Sequence, residues 1–175
     1  MRMTAPRHTL AILALAAGVL AASACASHTP RIRVLPPNTA PGVETKDQGS
    51  AIVRTAETLL GAPYREGGSL PDGFDCSGLV NYVFARHGIA VPRDVRRQAS
   101  AGAPVDRGDI APGDLVFFAT TGSGPTHVGI ALDRSRFIHA PKSGGVVRVE
   151  SMSAGYWTSR FILARRIVSG SEPPG

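Results

Sequence analysis

Apolar residues in the first part of the chain recur at helical intervals. Over residues 50–60 they stand three or four positions apart, and the run stops at Gly61. A second segment of this kind covers residues 75–86, where Asp75 is a favourable N-cap and Gly88 a favourable end signal. The pattern therefore predicts two helices, separated by a loop rich in glycine and proline.

The pattern changes to short β-rich runs in the second half of the chain. Valine, isoleucine, leucine and phenylalanine are concentrated there in segments that turn residues separate. These segments are residues 114–118, 126–132, 136–139, 146–149 and 161–168. Helices followed by strands predict an α+β domain.

The first 24 residues have the features of an export signal. A basic start is followed by an apolar run over residues 10–22 and then by small residues. The run is shorter than the roughly 20 residues that a membrane-spanning helix needs. We therefore expect residues 1–24 to be a signal peptide that is removed on export.

Cys25 follows three small residues, a pattern that resembles the processing site of bacterial lipoproteins. In this interpretation Cys25 carries lipid and anchors the protein to a membrane facing the periplasm. The outer membrane is expected, because no aspartate follows the cysteine. Such sites more often have leucine where this chain has Ala22, so ordinary secretion stays open as the alternative. Prolines predict an extended tether over residues 25–48, and residues 169–175 are expected to form a flexible tail.

Length and composition indicate one domain, over residues 49–168, with enough chain for a single hydrophobic core. The formal net charge is +6, and the basic residues are scattered rather than interleaved with aromatic ones. The sequence contains no nucleic-acid-binding motif, so DNA and RNA are not expected partners. A mildly basic protein suits an anionic polymer or membrane surface.

The chain contains two cysteines, and only Cys76 lies in the predicted domain. An exported compartment normally oxidises paired thiols, so a cysteine without a partner suggests a reactive thiol. If Asp75 caps the second helix, Cys76 lies in its first turn, where unpaired N–H groups and the helix dipole favour the thiolate. Leu79, Val80 and Val83 lie on the same side of this helix, so a buried core cysteine explains the position as well.

A nucleophilic cysteine needs a general base, and histidine is the usual one. His127 and His139 are the candidates, because both lie in predicted strands and each is six residues from Asp133 in an apparent hairpin. A turn centred on Asp133 would place them opposite one another on one face. One imidazole could then take the thiol proton while the other orients it. Zinc ligation by Cys76 and the two histidines is a weaker interpretation, because neither a CxxC nor an HxxxH pair accompanies them.

Six short motifs, taken in order, resemble the NlpC family of bacterial cell-wall cysteine peptidases, whose fold is papain-like. They are GAPYREGG at 61–68, DCSGLV at 75–80, VPR at 91–93, PGDLVFF at 112–118, HVGI at 127–130 and FIHAP at 137–141. Together they extend over nearly the whole predicted domain. The resemblance implies that the nucleophile begins a helix, and that this helix packs on an antiparallel sheet.

The resemblance also implies roles for individual residues. Cys76 would be the nucleophile, His127 the base and His139 the residue that orients the base. Tyr64 would help to stabilise the oxyanion through its hydroxyl group. Glu66 stands where relatives frequently have an aromatic residue beside the cleft, which bears on substrate preference.

The function implied by the resemblance is that of an exported thiol protease. It would hydrolyse amide bonds in peptidoglycan peptides, in the stem or in cross-links, during cell-wall remodelling. A monomer is expected, with neither a metal nor a cofactor. Two alternatives stay open: an acyl transferase or amidase on the same fold, and an inactive wall-binding lipoprotein. The intact Cys-His-His set argues against the inactive protein.

Overall fold

The computed structural model describes residues 41–142 and 144–167. The predicted signal peptide, Cys25, residues 25–40 of the tether and the predicted tail lie outside the described residues. None of the helices in the described part of the chain is long and apolar enough to cross a membrane.

The first helix, α1 (Pro41–Glu57), begins before the predicted domain boundary. The extended tether predicted over residues 25–48 is therefore wrong for its last part. Proline is tolerated in the first turn of a helix, because the amide N–H that it lacks has no partner there. The helix ends at Glu57, and turns lead from there to Gly61, whose φ of +85° suits glycine.

The second helix, α2 (Cys76–Ala85), confirms the prediction over residues 75–86. Asp75 is its N-cap, and its carboxylate accepts a hydrogen bond of 2.7 Å from the amide of Gly78. Gly88 follows the helix with a φ of +72°, as expected of a glycine end signal. The apolar side of the helix is fully buried; its residues are Leu79, Val80, Val83 and Phe84.

Several short elements lie between the predicted ones and had no periodic pattern long enough to indicate them. The helices are α3 (Val95–Ala99), α4 (Gly155–Thr158) and a 3-10 turn (Arg107–Asp109). The strands are β1 (Ser69–Leu70), β2 (Gly73–Phe74) and β3 (Ala103–Val105). β1 and β2 form a small separate pair.

Six strands form one antiparallel sheet in the order β3-β8-β4-β5-β6-β7. Besides β3 they are β4 (Leu115–Phe118), β5 (His127–Ala131), β6 (Arg136–His139), β7 (Arg148–Ser151) and β8 (Phe161–Arg166). Four of these agree with the predicted segments, whereas β7 lies two residues beyond the predicted 146–149. The reason is that Val147 hydrogen-bonds to Gly61 and Ala62 of the loop after α1, instead of pairing with β6.

The hairpin between β5 and β6 has a different register from the predicted one. A turn centred on Asp133 would pair Ile130 with Arg136, whereas the structure pairs Ile130 with Ile138. Asp133 Oδ1 accepts hydrogen bonds of 2.8 Å from the amides of Ser135 and Arg136, so the aspartate side chain closes the turn. The displacement is two residues, and each side chain therefore stays on its predicted face.

The sheet carries an apolar cluster on each face. One cluster packs on α1 and α2 and includes Leu115, Phe117, Val128, Ile130 and Ile138. The other includes Val116, Phe118, Phe137, Met152, Trp157 and Ala164. Because both faces are covered, every residue of the two central strands β4 and β5 is buried. The structure thus confirms the α+β class, with the nucleophile candidate at the start of a helix that packs on the sheet.

Candidate active site

Cys76 is the first residue of α2, and its thiol is free and half-buried. Burial and the neighbouring Asp75 carboxylate raise the pKa of Cys76, whereas the backbone N–H groups of Val128, Ser77 and Cys76 itself lower it. The net direction is upward, so the predicted lowering of the pKa at the helix start is wrong. Desolvation of the thiol outweighs the amide groups that favour the thiolate.

The effect of the Val128 amide on Cys76 also locates the thiol. Val128 lies in β5, directly after His127, so α2 brings the sulfur to the beginning of this strand. Cys76 packs with the cluster under α2, whereas His127 contacts Trp157 in the cluster on the other face. The beginning of β5 is therefore where the thiol and the imidazole can meet.

Arg93 holds the start of α2 in place. Its guanidinium donates to both carboxylate oxygens of Asp75, at 2.8 and 2.6 Å, to Ser77 Oγ at 2.6 Å and to the Gly68 carbonyl at 3.1 Å. Burial raises the pKa of Asp75, but the hydrogen bonds from Arg93 and Gly78 outweigh it and lower the pKa overall. Gly78 itself leaves room for this packing, since a Cβ at that position would overlap the Gly68 carbonyl oxygen.

His127 and His139 form a direct hydrogen bond of 2.7 Å between Nε2 of His127 and Nδ1 of His139. Their rings are nearly perpendicular, with centroids 4.9 Å apart. His139 is fully buried and His127 is 7% exposed. The predicted pairing on one face is thus present, although the two residues are offset along the strands rather than opposite one another.

Both imidazoles are neutral at pH 7. Burial lowers the pKa of His127 to about 4, against a smaller effect of the Glu150 carboxylate. Burial, followed by the charge of His127, lowers the pKa of His139 as well. In the hydrogen bond between them one ring therefore donates its single N–H and the other accepts with its bare nitrogen.

Trp157 and Glu150 surround the two histidines, and the sequence analysis missed both. The Trp157 ring stacks on His127 with centroids 5.5 Å apart and meets His139 edge-on at 5.1 Å. Glu150 Oε1 lies 3.7 Å from His139 Nε2. A correct boundary for β7 would have indicated Glu150. The strand pairs with β6 and places Arg148 opposite His139, and Glu150, two residues further on, lies on the same face.

Tyr64 is half-buried in the loop before β1, where its amide donates to the Gly145 carbonyl at 2.8 Å. Burial, followed by the charges of Cys76 and Asp75, raises the pKa of Tyr64. The hydroxyl is therefore near enough for the negative charge of Cys76, in its thiolate form, to act on it. It also keeps its proton at neutral pH, as a hydrogen-bond donor must.

A cleft of about 470 Å³ opens on the imidazole side of the site. Its lining combines aromatic, basic and acidic side chains, among them His127, Lys142, Arg148, Glu150, Tyr156 and Trp157. Within residues 41–142 and 144–167, no group of three or more His, Cys, Asp or Glu side chains could hold a metal ion.

Comparisons with known proteins show which proteins this chain is similar to. Murein DD-endopeptidase MepS/murein LD-carboxypeptidase of Escherichia coli is 36% identical in a match that covers 91% of this chain and 93% of that protein. Gamma-DL-glutamyl hydrolase of Bacillus subtilis is 37% identical over 130 residues, 72% of this chain, but the match spans only 32% of that relative.

Among solved structures, the peptidoglycan hydrolase RipB of Mycobacterium tuberculosis has a TM-score of 0.62 and 28% identity, over 77% of this chain and 74% of its own. The model of the NlpC/P60 family matches residues 61–166, which include Tyr64, Cys76, His127 and His139. The resemblance seen in the motifs is confirmed, and the chain belongs to the NlpC/P60 family.

Proposed function

We propose that this protein is a cysteine peptidase that hydrolyses amide bonds in peptidoglycan peptides. The observation that carries the proposal is the position of Cys76, at the start of α2 and beside the Val128 amide, one residue from His127. Its relatives support the substrate class, since MepS is named a murein DD-endopeptidase and RipB a peptidoglycan hydrolase.

The reaction proceeds through a thioester on Cys76. The sulfur attacks the amide carbonyl carbon while His127 takes the thiol proton. The C–N bond then breaks, and His127 gives this proton to the leaving amine. A water molecule, activated by His127, attacks the thioester, releases the carboxylic acid and regenerates the thiol.

The pKa directions determine when the proton moves. The pKa of the thiol is raised and that of His127 is lowered, so the resting pair is a neutral thiol beside a neutral imidazole. Proton transfer therefore accompanies the attack instead of preceding it. The Tyr64 hydroxyl supports the same step, because it can donate a hydrogen bond to the oxyanion that forms on the substrate.

Localisation is part of the proposal. The sequence of residues 1–25 supports export followed by lipidation of Cys25, which would hold the enzyme at a membrane close to the cell wall. Cell fractionation with a labelled fatty acid tests this part. Label on the wild type but not on Cys25→Ala supports it, and an unlabelled wild type in the soluble fraction contradicts it.

The experiment that tests the activity is digestion of purified peptidoglycan by the full chain, with mass spectrometry of the released fragments. Three proteins are compared: wild type, Cys76→Ser, and Cys25→Ala as the matched control at the other cysteine. We expect hydrolysed peptides from wild type and Cys25→Ala only. Turnover by Cys76→Ser near the wild-type rate would overturn the proposal, and products with a newly formed amide would indicate an acyl transferase.

A further inference from the structure

His139 has one ring nitrogen without a hydrogen bond. Its Nδ1 is engaged with His127, but Nε2 is buried and has no hydrogen-bond partner among the described residues. A buried polar atom without a partner is costly, so its surroundings need an explanation. The polar atom facing it is Glu150 Oε1, at 3.7 Å, just beyond hydrogen-bond length.

Glu150 is held firmly in the position that faces His139. Trp157 donates its indole N–H to Oε2, and Arg148 donates from Nε to Oε1 at 2.7 Å. A terminal guanidinium nitrogen of Arg148 forms an ion pair with Oε1 at 2.6 Å. Burial raises the pKa of Glu150, but the hydrogen bonds from Trp157 and Arg148 outweigh it and lower the pKa overall. The side chain is therefore a carboxylate, which can only accept hydrogen bonds.

A carboxylate facing His139 determines where both imidazole protons lie. The carboxylate favours a proton on His139 Nε2, which leaves Nδ1 bare as an acceptor. Because Nδ1 accepts, the hydrogen bond of 2.7 Å must be donated by His127 Nε2. His127 then has its proton on Nε2, and its Nδ1 is left bare to take a proton.

We propose that Glu150 is a positioning residue that acts through His139 and makes Nδ1 of His127 the basic nitrogen of the site. This inference rests on the proposed function of His127 as the base. When His127 takes the thiol proton, the His127–His139 pair becomes positively charged. The Glu150 carboxylate, next to His139, stabilises that charge. The distance of 3.7 Å then shortens, as catalytic hydrogen bonds do when charge develops. Glu150 lies outside all six motifs that carry the family resemblance.

The first test needs only the wild-type full chain. Imidazole nitrogen chemical shifts of the ¹⁵N-histidine-labelled protein at pH 7 distinguish the tautomers, and histidine-to-glutamine variants assign the signals. We expect both His127 and His139 to carry their protons on Nε2. A proton on Nδ1 of His139 overturns the proposal, whether or not the protein hydrolyses peptidoglycan. The failure of this inference is thus distinguishable from a failure of the proposed activity.

The second test is Glu150→Gln, which keeps the shape and an acceptor oxygen but removes the charge. We expect kcat to fall about tenfold to a hundredfold with KM within about twofold, and the nitrogen spectrum to show mixed tautomers. Glu150→Asp keeps a carboxylate and should retain the tautomers. Glu57→Gln removes the same charge at an exposed position at the end of α1 and serves as the matched control. Unchanged tautomers in a folded Glu150→Gln protein would overturn the proposal.

Discussion

His127 and His139 share a hydrogen bond of 2.7 Å although the strands do not pair them with each other. The register pairs Ile130 with Ile138, which offsets the two histidines along their strands. Side chains alternate between the faces of a strand, so an offset of two residues keeps both rings on the same side. The contact between the two histidines thus requires that both lie on the same face of the sheet. A shift of the register by two residues preserves this face, and the contact forms despite the shift.

The two histidines should not be equivalent in function. His127→Asn removes the proton acceptor, and we expect turnover to fall nearly as far as in Cys76→Ser. In His139→Asn the side-chain oxygen can still accept the hydrogen bond from His127 Nε2, so partial activity should remain. The measurement is kcat on soluble peptidoglycan peptides. Thermal melting of both variants controls for folding, and equal, small losses of activity would contradict the assigned roles.

Local signals account for the parts of the fold that the sequence predicted well. The limits of α2 follow from a capping aspartate, a helical spacing of apolar residues and Gly88, all within a few positions of one another. The segments that form β5 and β6 likewise have turn residues next to them in the sequence. The faces of His127 and His139 follow from simple alternation, which needs no knowledge of the neighbouring strand.

Contacts between distant parts of the chain explain what was missed. Residues 146 and 147 pair with the loop after α1, which moves β7 and hides the place of Glu150 next to β6. The helix-start effect on Cys76 could be inferred from neighbouring residues, whereas its burial comes from packing against the sheet. The prediction therefore had the sign of the pKa shift wrong.

Tyr64→Phe tests the oxyanion role, because it removes the hydroxyl and keeps the ring. Losing one such donor typically lowers kcat about 100- to 1000-fold. We expect a loss in that range with an unchanged melting temperature, since the ring still packs against the core. Tyr82→Phe is the matched control, because it removes the same hydroxyl from a tyrosine of α2 whose ring packs against Phe74. Wild-type turnover in Tyr64→Phe would show that Tyr64 only packs against the core and does not stabilise the oxyanion.

Arg93→Lys tests how the start of α2 is held. An ammonium group cannot reach both oxygens of Asp75 and the Gly68 carbonyl together, as the guanidinium does. We expect the free energy of unfolding to fall by about 1 to 2 kcal/mol, seen as a lower urea midpoint. Arg65→Lys is the control, because its ion pair with Asp72 is more than 60% exposed on both sides and should contribute little. Equal effects of the two changes would show that Arg93 is no more than a surface charge.

The neutral, buried state of His127 makes stability depend on pH in a defined window. Its pKa is lowered to about 4 in the folded protein and is about 6.5 in an unfolded chain. Between these pH values His127 binds a proton in the unfolded state but not in the folded state. The free energy of unfolding therefore falls as the pH falls from about 6.5 to about 4. His139 acts in the same direction, since burial also lowers its pKa.

We expect His127 to contribute a loss on the order of 3 kcal/mol across this window. The measurement is the urea unfolding midpoint of the wild type at pH 7 and at pH 4.5, compared with His127→Asn. The variant has no imidazole at this position, so its stability should fall less between the two pH values. His87→Gln is the control for replacing a histidine as such, because this half-buried histidine contacts Thr55 away from the site. Carboxylates such as Asp75 also lose stabilising charge, but only near and below about pH 4. An equal fall in the wild type and in His127→Asn would mean that folding leaves the pKa of His127 near its unfolded value of about 6.5, which would contradict the lowered pKa of a buried, neutral imidazole.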